Sequence, residues 1–250
     1  MTTSEKITLE ICASDIDSVY AAAEGGADRV ELCSALTEGG LTPSYGLIRE
    51  ALKVEGLKVN VLLRHRNGDF IYSPREMDVM TDDVAMICEA GANAIVFGAL
   101  NPDGTVDTEA CRRVIESSQN MSHTFHRAFD LCRDPFEAAR IIESLGFDRI
   151  LTSGMAASAM EGADTLKELQ QAFPALTFIA AGGITPDNAA EIVNRTGVRD
   201  IHASAKHTVG SSMTFRREGV SMGKPGTDEY ARSTTSAANV RDIIKNIKEL

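Results

Sequence analysis

Four stretches of the chain share one grammar: "GGADRVELC" (25–33), "AGANAIVFG" (90–98), "LGFDRILTS" (145–153) and "TGVRDIHAS" (196–204). In each, an amphipathic run stops at glycine, one or two small or polar residues follow, and a short apolar run begins. Glycine stops a helix because it adopts the left-handed backbone that closes the last turn. A run of four to eight mostly apolar, partly β-branched residues then reads as a buried strand. Working outward, eight such runs appear: 7–13, 28–34, 58–65, 94–100, 123–129, 148–154, 176–183 and 199–205. Helical patterns lie between them. In "DIDSVYAAAEGG" (15–26), Asp15 or Asp17 can cap, Val19, Ala22 and Ala23 face inward, and Gly25 or Gly26 ends the helix. "SPREMDVMTDDVAMICEAG" (73–91), "DPFEAARIIESLG" (134–146) and "TPDNAAEIVNRTG" (185–197) repeat the form with proline at an early helical position.

Strand–helix alternation favours a parallel sheet, because parallel neighbours need a crossover. Eight units within 250 residues predict an α/β chain folded as a single (β/α)8 TIM barrel over 1–250. An open doubly wound sheet is the alternative, but it wants a glycine-rich fingerprint after the first strand, and "EICASDIDS" (10–18) has none. One segment breaks the rhythm. Residues 206–233 form a long connection, expected to be a lid, binding loop or disordered piece, before a last helix at about 234–249.

Composition narrows the function. A formal charge of −11 argues against binding a nucleic-acid backbone. No apolar run is long enough to span a membrane, and "MTTSEKITLEIC" lacks the pattern of a secretory signal. Five scattered cysteines suit reduced thiols. A cytoplasmic protein is expected.

In such a barrel the C-terminal strand ends form the active face. Those ends carry Glu10 and Cys12, Glu31 and Cys33, Arg64 and Arg66 with Asp69, His126 with Arg127 and Asp130, Thr152 and Ser153, Gly182 and Gly183, and His202 with Ser204. Buried Glu and Arg are costly unless paired, so they form either an architectural network or a polar pocket. As a pocket, His126 and His202 are the acid–base candidates with Glu10 and Glu31, and the arginines are clamps for a small anionic ligand. Gly182, Gly183 and Ser204 lie where many barrels hold a phosphate on backbone N–H groups. On this reading the chain is an enzyme acting by proton transfer on a small phosphorylated or sugar-like metabolite. No Ser–His–Asp order, Walker loop or HExxH motif appears, and Lys206 only weakly suggests a Schiff base. His126 is expected to point inward with Thr124 and Ala128, and Arg127 to reach a ligand only if the chain turns over the rim there.

Cys12 and Cys33 each lie two residues past a glutamate on neighbouring strands, so each Glu–Cys pair shares a face. The two thiols can then meet near the mouth and suit a soft ion such as Cu(I); equally, they can be buried fillers. A short sulfur–sulfur gap open to solvent would favour the ion. A polar cavity over buried thiols would favour the enzyme.

"LEIC" (9–12), "GADRVELCSALTEGGLTPS" (26–44), "RNGDFIYS" (66–73), "TFHRAFD" (124–130), "RILTSG" (149–154) and "DEY" (228–230) together resemble the CutC family over nearly the whole chain. The resemblance implies a cytoplasmic copper-homeostasis protein with a TIM-barrel fold, often a homodimer, binding Cu(I) through cysteines. By position these are Cys12 and Cys33. His65, Asn67 and Ala203 depart from the usual family pattern at the mouth.

Overall fold

The computed structural model describes residues 6–118, 121–220, 222 and 228–248. Eight parallel strands close into a barrel in chain order: β1 (Thr8–Ala13), β2 (Arg29–Leu32), β3 (Lys58–Leu62), β4 (Ala94–Phe97), β5 (Ser122–Phe125), β6 (Arg149–Thr152), β7 (Thr177–Ala181) and β8 (Asp200–Ala203). β8 pairs back onto β1, which removes any open edge from the sheet. The helices between them are α1 (Ile16–Gly25), α2 (Tyr45–Ala51), α3 (Pro74–Ala90), α4 (Thr108–Ser117), α5 (Pro135–Leu145), α6 (Ala163–Ala172) and α7 (Pro186–Thr196).

The helix boundaries follow from local chemistry. Asp15 caps α1 by accepting from the Ser18 amide at 2.7 Å. Ser73 and Glu76 form a reciprocal capping box at the start of α3. Helices α1, α3, α5 and α7 stop at Gly26, Gly91, Gly146 and Gly197, whose φ values of 76–89° a side chain would oppose. That recurring stop is what sets each following strand in register.

The core lies between the outer strand faces and the helices. Leu9, Ile11, Val30, Leu32, Val59, Val61, Ile95, Phe97, Phe125, Ile150, Phe178 and Ile201 are fully enclosed there. Residues of opposite parity fill the barrel interior. Two small apolar clusters, Cys12–Cys33–Leu62–Val96 and Leu151–Ile179–Ala181, are separate from the main core. Paired residues in a parallel sheet share a face. The pairs Glu10↔Arg29, Cys12↔Glu31 and Glu10↔His202 therefore place five polar or sulfur-bearing side chains on the inner face.

The expectation of an irregular stretch over 206–233 needs correction. Its ends pair as an antiparallel hairpin, β9 (Lys206–Gly210) with β10 (Ala231–Thr235). β10 is pinned to α1: the Thr235 amide donates to Ser18 Oγ at 3.0 Å, and Arg232 reaches Asp17 at 2.6 Å. The last helix, α8 (Ala237–Lys248), consequently starts three residues later than expected. Residues 221 and 223–227 of this stretch lie outside the described residues.

Candidate functional site

The site is built up from the barrel floor. Arg29 bridges two acids, donating from Nη2 to Asp200 at 2.8 Å and from Nε to Glu10 at 2.5 Å. Asn60 also donates to Glu10, at 3.3 Å. One layer up, His202 Nδ1 lies 2.8 Å from the other Glu10 oxygen. A carboxylate only accepts, so this nitrogen carries the proton. Burial alone would raise the Glu10 pKa, but Arg29 and His202 outweigh it and bring it to about 2. Glu10 is thus a fixed anion that orients the imidazole.

Glu31 sits differently. Its Oε2 is 3.7 Å from Cys12 Sγ and 3.9 Å from His202 Nε2. Its Oε1 is buried with no hydrogen-bond partner among the described residues. Burial raises the Glu31 pKa, and nearby Glu10 adds to this against the pull of His202. His202 lies between the two carboxylates; burial pulls its pKa down, but Glu31 and Glu10 prevail and raise it. Above them, the sulfurs of Cys12 and Cys33 are 3.9 Å apart. The Cys12 thiol holds its proton well above the ordinary pH range, through its hydrogen bond with Cys33, burial and the adjacent carboxylates. One ligand atom from each of Cys12, Glu31 and His202 falls within 4.8 Å of the others, a spacing that suits a metal ion.

Cys12 and His202 floor a cavity of about 580 Å³ that opens at the C-terminal mouth. Of the residues singled out in the sequence, Cys12, Arg127, Gly182, Gly183, His202 and Ser204 line it; Lys206, Leu36 and Asn239 join them. Arg127 reaches it because β5 ends at Phe125 and the chain turns through a short 3-10 helix (Arg127–Leu131). Asp130, buried behind, holds that turn. It accepts from Arg127 Nε at 2.7 Å, the Ser153 amide at 3.0 Å and the Met155 amide at 3.3 Å, and also from the Thr152 hydroxyl.

Other members of the expected polar ring are placed elsewhere. Asp130, Thr152 and Ser153 are braces for the β5 and β6 loops, not cavity wall. Arg64 is buried and donates to the carbonyls of Glu38, Gly40 and Gly68 at 2.8–3.1 Å, tying the β2 and β3 loops together. Arg66 braces its own loop, reaching Glu76 at 2.5 Å, Asp69 at 3.1 Å and the Ile71 carbonyl at 2.7 Å. Asp69 is its partner there. Loop carbonyls and acids thus occupy both guanidinium groups, apart from the buried Arg64 Nε, which has no partner among the described residues, and the arginine set at the cavity reduces to Arg127.

His126 also needs correction. The strand stops one residue before it, so Ala128 does not continue the alternation with Thr124. The imidazole caps the turn instead, accepting from the Ala128 amide at Nδ1 over 3.2 Å. It is enclosed by Phe70, Phe97 and Phe125, with centroids 4.8–6.4 Å away. Burial, with Arg64 nearby, drives its pKa down to about 3. It does not line the cavity.

Arg29 was missed at the sequence level, though a signal existed. Arg29, Glu31 and Cys33 alternate, as do Asp200, His202 and Ser204, and that parity places all six on one barrel face. Lys206 was set aside because it lies past the eighth strand, yet the turn at Ala205 brings it to the rim.

Fold and site together define a class: a (β/α)8 barrel with a thiol–carboxylate–imidazole cluster under its C-terminal mouth. The sequence model of the CutC family matches residues 7–207. A CutC family protein from Bacteroides fragilis strain YCH46 is 44% identical over 243 residues, covering 95% of this chain and 96% of its own length. One from Chromobacterium violaceum is 46% identical over 236 residues, covering 94% and 96%. A solved structure of CutC from Streptococcus agalactiae is 33% identical, with a TM-score of 0.76, covering 79% of this chain and 98% of that one. The chain belongs to the CutC family. No helix among the described residues is long and apolar enough to cross a membrane.

Proposed function

We propose that this chain is a cytoplasmic copper-homeostasis protein of the CutC type that takes Cu(I) between the thiolates of Cys12 and Cys33. The observation that carries the reading is the 3.9 Å gap between the two sulfurs on neighbouring strands. Two metal–thiolate bonds of about 2.3 Å span such a gap. Soft thiolates select a soft monovalent ion over the harder divalent cations. A reducing cytoplasm keeps both sulfurs as thiols and so available to the metal.

The surroundings fit this cargo. The pair is buried beneath the cavity, as expected of the enzyme rather than of an open ion site, but Cys12 forms part of the cavity floor and gives an ion a route to it. His202 is held by Glu10 beside Cys12 and offers a third donor, and the unpartnered Glu31 oxygen offers a fourth. Both thiols must lose protons on binding, so copper uptake releases protons and tightens as the pH rises.

The test is a Cu(I) competition titration against a chelator, on the wild type and on Cys12→Ser and Cys33→Ser separately. Each single variant is expected to lose on the order of 100-fold in affinity, or about 2.7 kcal/mol. Unchanged affinity in both variants would sink the reading.

A further inference from the structure

We propose that the rim of the mouth cavity formed by the loops after β7 and β8 binds the phosphate group of a small phosphorylated compound. This goes beyond the copper reading and rests on different residues.

The first observation is an excess of unused donors. This is an acidic chain, with a formal charge of −11, and several of its surface arginines are spent on acids: Arg113 on Asp78, Arg133 on Asp103 and Glu137, Arg195 on Asp164, Arg241 on Glu24. Two cations that line the cavity keep donors in hand. The Lys206 ammonium has no ion-pair partner among the described residues. Arg127 uses Nε on Asp130 and Nη2 on Ser153, and its Nη1 has no partner among them. An Arg and a Lys that line one cavity from the loops after β5 and β8 suit an oxyanion.

The second observation concerns the backbone. Gly183, Ile184 and Ala205 line the same cavity, and their amides donate to no group among the described residues. Gly183 has φ +74°, and Ala205 has φ +44°, a conformation that an alanine holds only when its surroundings impose it. Here they do. The Ala205 carbonyl is anchored from behind by the Ser236 amide at 2.9 Å and by Asn239 Nδ2 at 3.4 Å. The loop is therefore fixed through its acceptor and left with its donor unused. Backbone N–H groups gathered in such turns make an anion-binding concavity. Parallel pairing of β7 with β8 sets their loops side by side, where barrels of this kind commonly hold phosphate.

The third observation is size. At about 580 Å³ the cavity is far larger than a phosphate ion and is typical of a site for a whole small molecule. Leu36, Ile184 and Pro186 supply apolar wall for an organic body. The ligand is therefore a phosphate monoester with a small carbon skeleton, its phosphate at Lys206 and Arg127 and its body over His202 and Cys12.

The experiment uses the full-length protein free of copper, so its outcome is independent of the copper reading. Backbone amide NMR shifts are followed while inorganic phosphate, a pentose phosphate or the unphosphorylated pentose is added. Expected are saturable shifts at Gly183, Ile184 and Ala205 with both phosphates, about tenfold tighter for the sugar phosphate, and none with the free pentose. Lys206→Ala should weaken binding about tenfold, whereas Lys53→Ala, which removes the same charge from an exposed pair with Glu50, should not. The proposal is overturned if neither phosphate gives saturable shifts at these amides, if the free pentose binds as well, or if both lysine variants weaken binding equally.

Discussion

Around His202 the neighbours are carboxylates and sulfur; around His126 they are chiefly phenylalanine rings. Both residues lie at the C-terminal ends of barrel strands, and both are largely buried. In the first region, Glu10 and Glu31 flank the imidazole and hold its proton. In the second, Phe70, Phe97 and Phe125 enclose the ring, Arg64 is close by, and Nε2 has no partner among the described residues. The same side chain is therefore pushed in opposite directions, upward at His202 and down to about 3 at His126. Burial is comparable; the charge of the nearest groups decides the sign.

The sharpest way to break this contrast is to discharge the first region. Glu10→Gln removes the anion that Arg29 and His202 share, leaving Arg29 with Asp200 alone and His202 with Glu31 at 3.9 Å. A loss of about 3–5 kcal/mol in unfolding free energy is expected at neutral pH, as for other broken buried ion pairs. Denaturant unfolding measures it, and a loss below about 1 kcal/mol would mean that the pair is solvated or dispensable.

The second region predicts a pH dependence. Between about pH 3 and pH 6.5 the folded protein binds fewer protons at His126 than the unfolded chain does. The His126 contribution to stability is therefore full above pH 6.5 and falls as the pH drops toward 3, by up to about 1.4 kcal/mol per pH unit. From pH 6.5 to 4.5 this amounts to roughly 2–3 kcal/mol. Glu10 adds a separate loss below about pH 4.5, as acid titrates it toward its folded value of about 2. His126→Asn keeps an acceptor for the Ala128 amide but cannot titrate, so its stability between pH 6.5 and 4.5 should fall less steeply than that of the wild type. Parallel slopes would remove His126 as the cause.

A smaller effect probes the packing around that ring. A methyl group at Gly98 would meet His126 Nδ1 at 2.7 Å and the Phe125 ring at 3.1 Å. Gly98→Ala should cost about 1–3 kcal/mol, measured by thermal or denaturant unfolding. The smallest effect lies outside both regions. Lys53→Ala breaks an exposed pair with Glu50 and should change stability by no more than about 0.5 kcal/mol.

The two regions also differ in how far their sequence foretells them. The first was legible because strand parity is strict: Glu10 and Cys12, Glu31 and Cys33, and His202 alternate within short strands, of which β2 and β8 begin just after a glycine stop. Barrel closure then brings β8 beside β1. The second was not. Whether β5 ends at Phe125 or runs on through His126 changes where His126 and Ala128 point, and no local residue marks that end. The use of Arg64 and Arg66 was hidden for another reason. Their partners are mostly backbone carbonyls of loops, such as Glu38, Gly40, Gly68 and Ile71, and carbonyls carry no residue identity. The hairpin of β9 and β10 was obscured by its polar strands, "KHTVG" and "ARSTT", which show no apolar alternation of their own, and of which β10 is held to α1.

Copper is proposed to sit between the thiols of the first region. X-ray absorption at the copper edge, on protein loaded with one equivalent of Cu(I), addresses it most directly. Sulfur scattering from both cysteines is predicted, and it should vanish in the Cys12→Ser/Cys33→Ser double variant. A copper environment of nitrogen and oxygen alone in the wild type, or an unchanged sulfur signal in the double variant, would contradict the account.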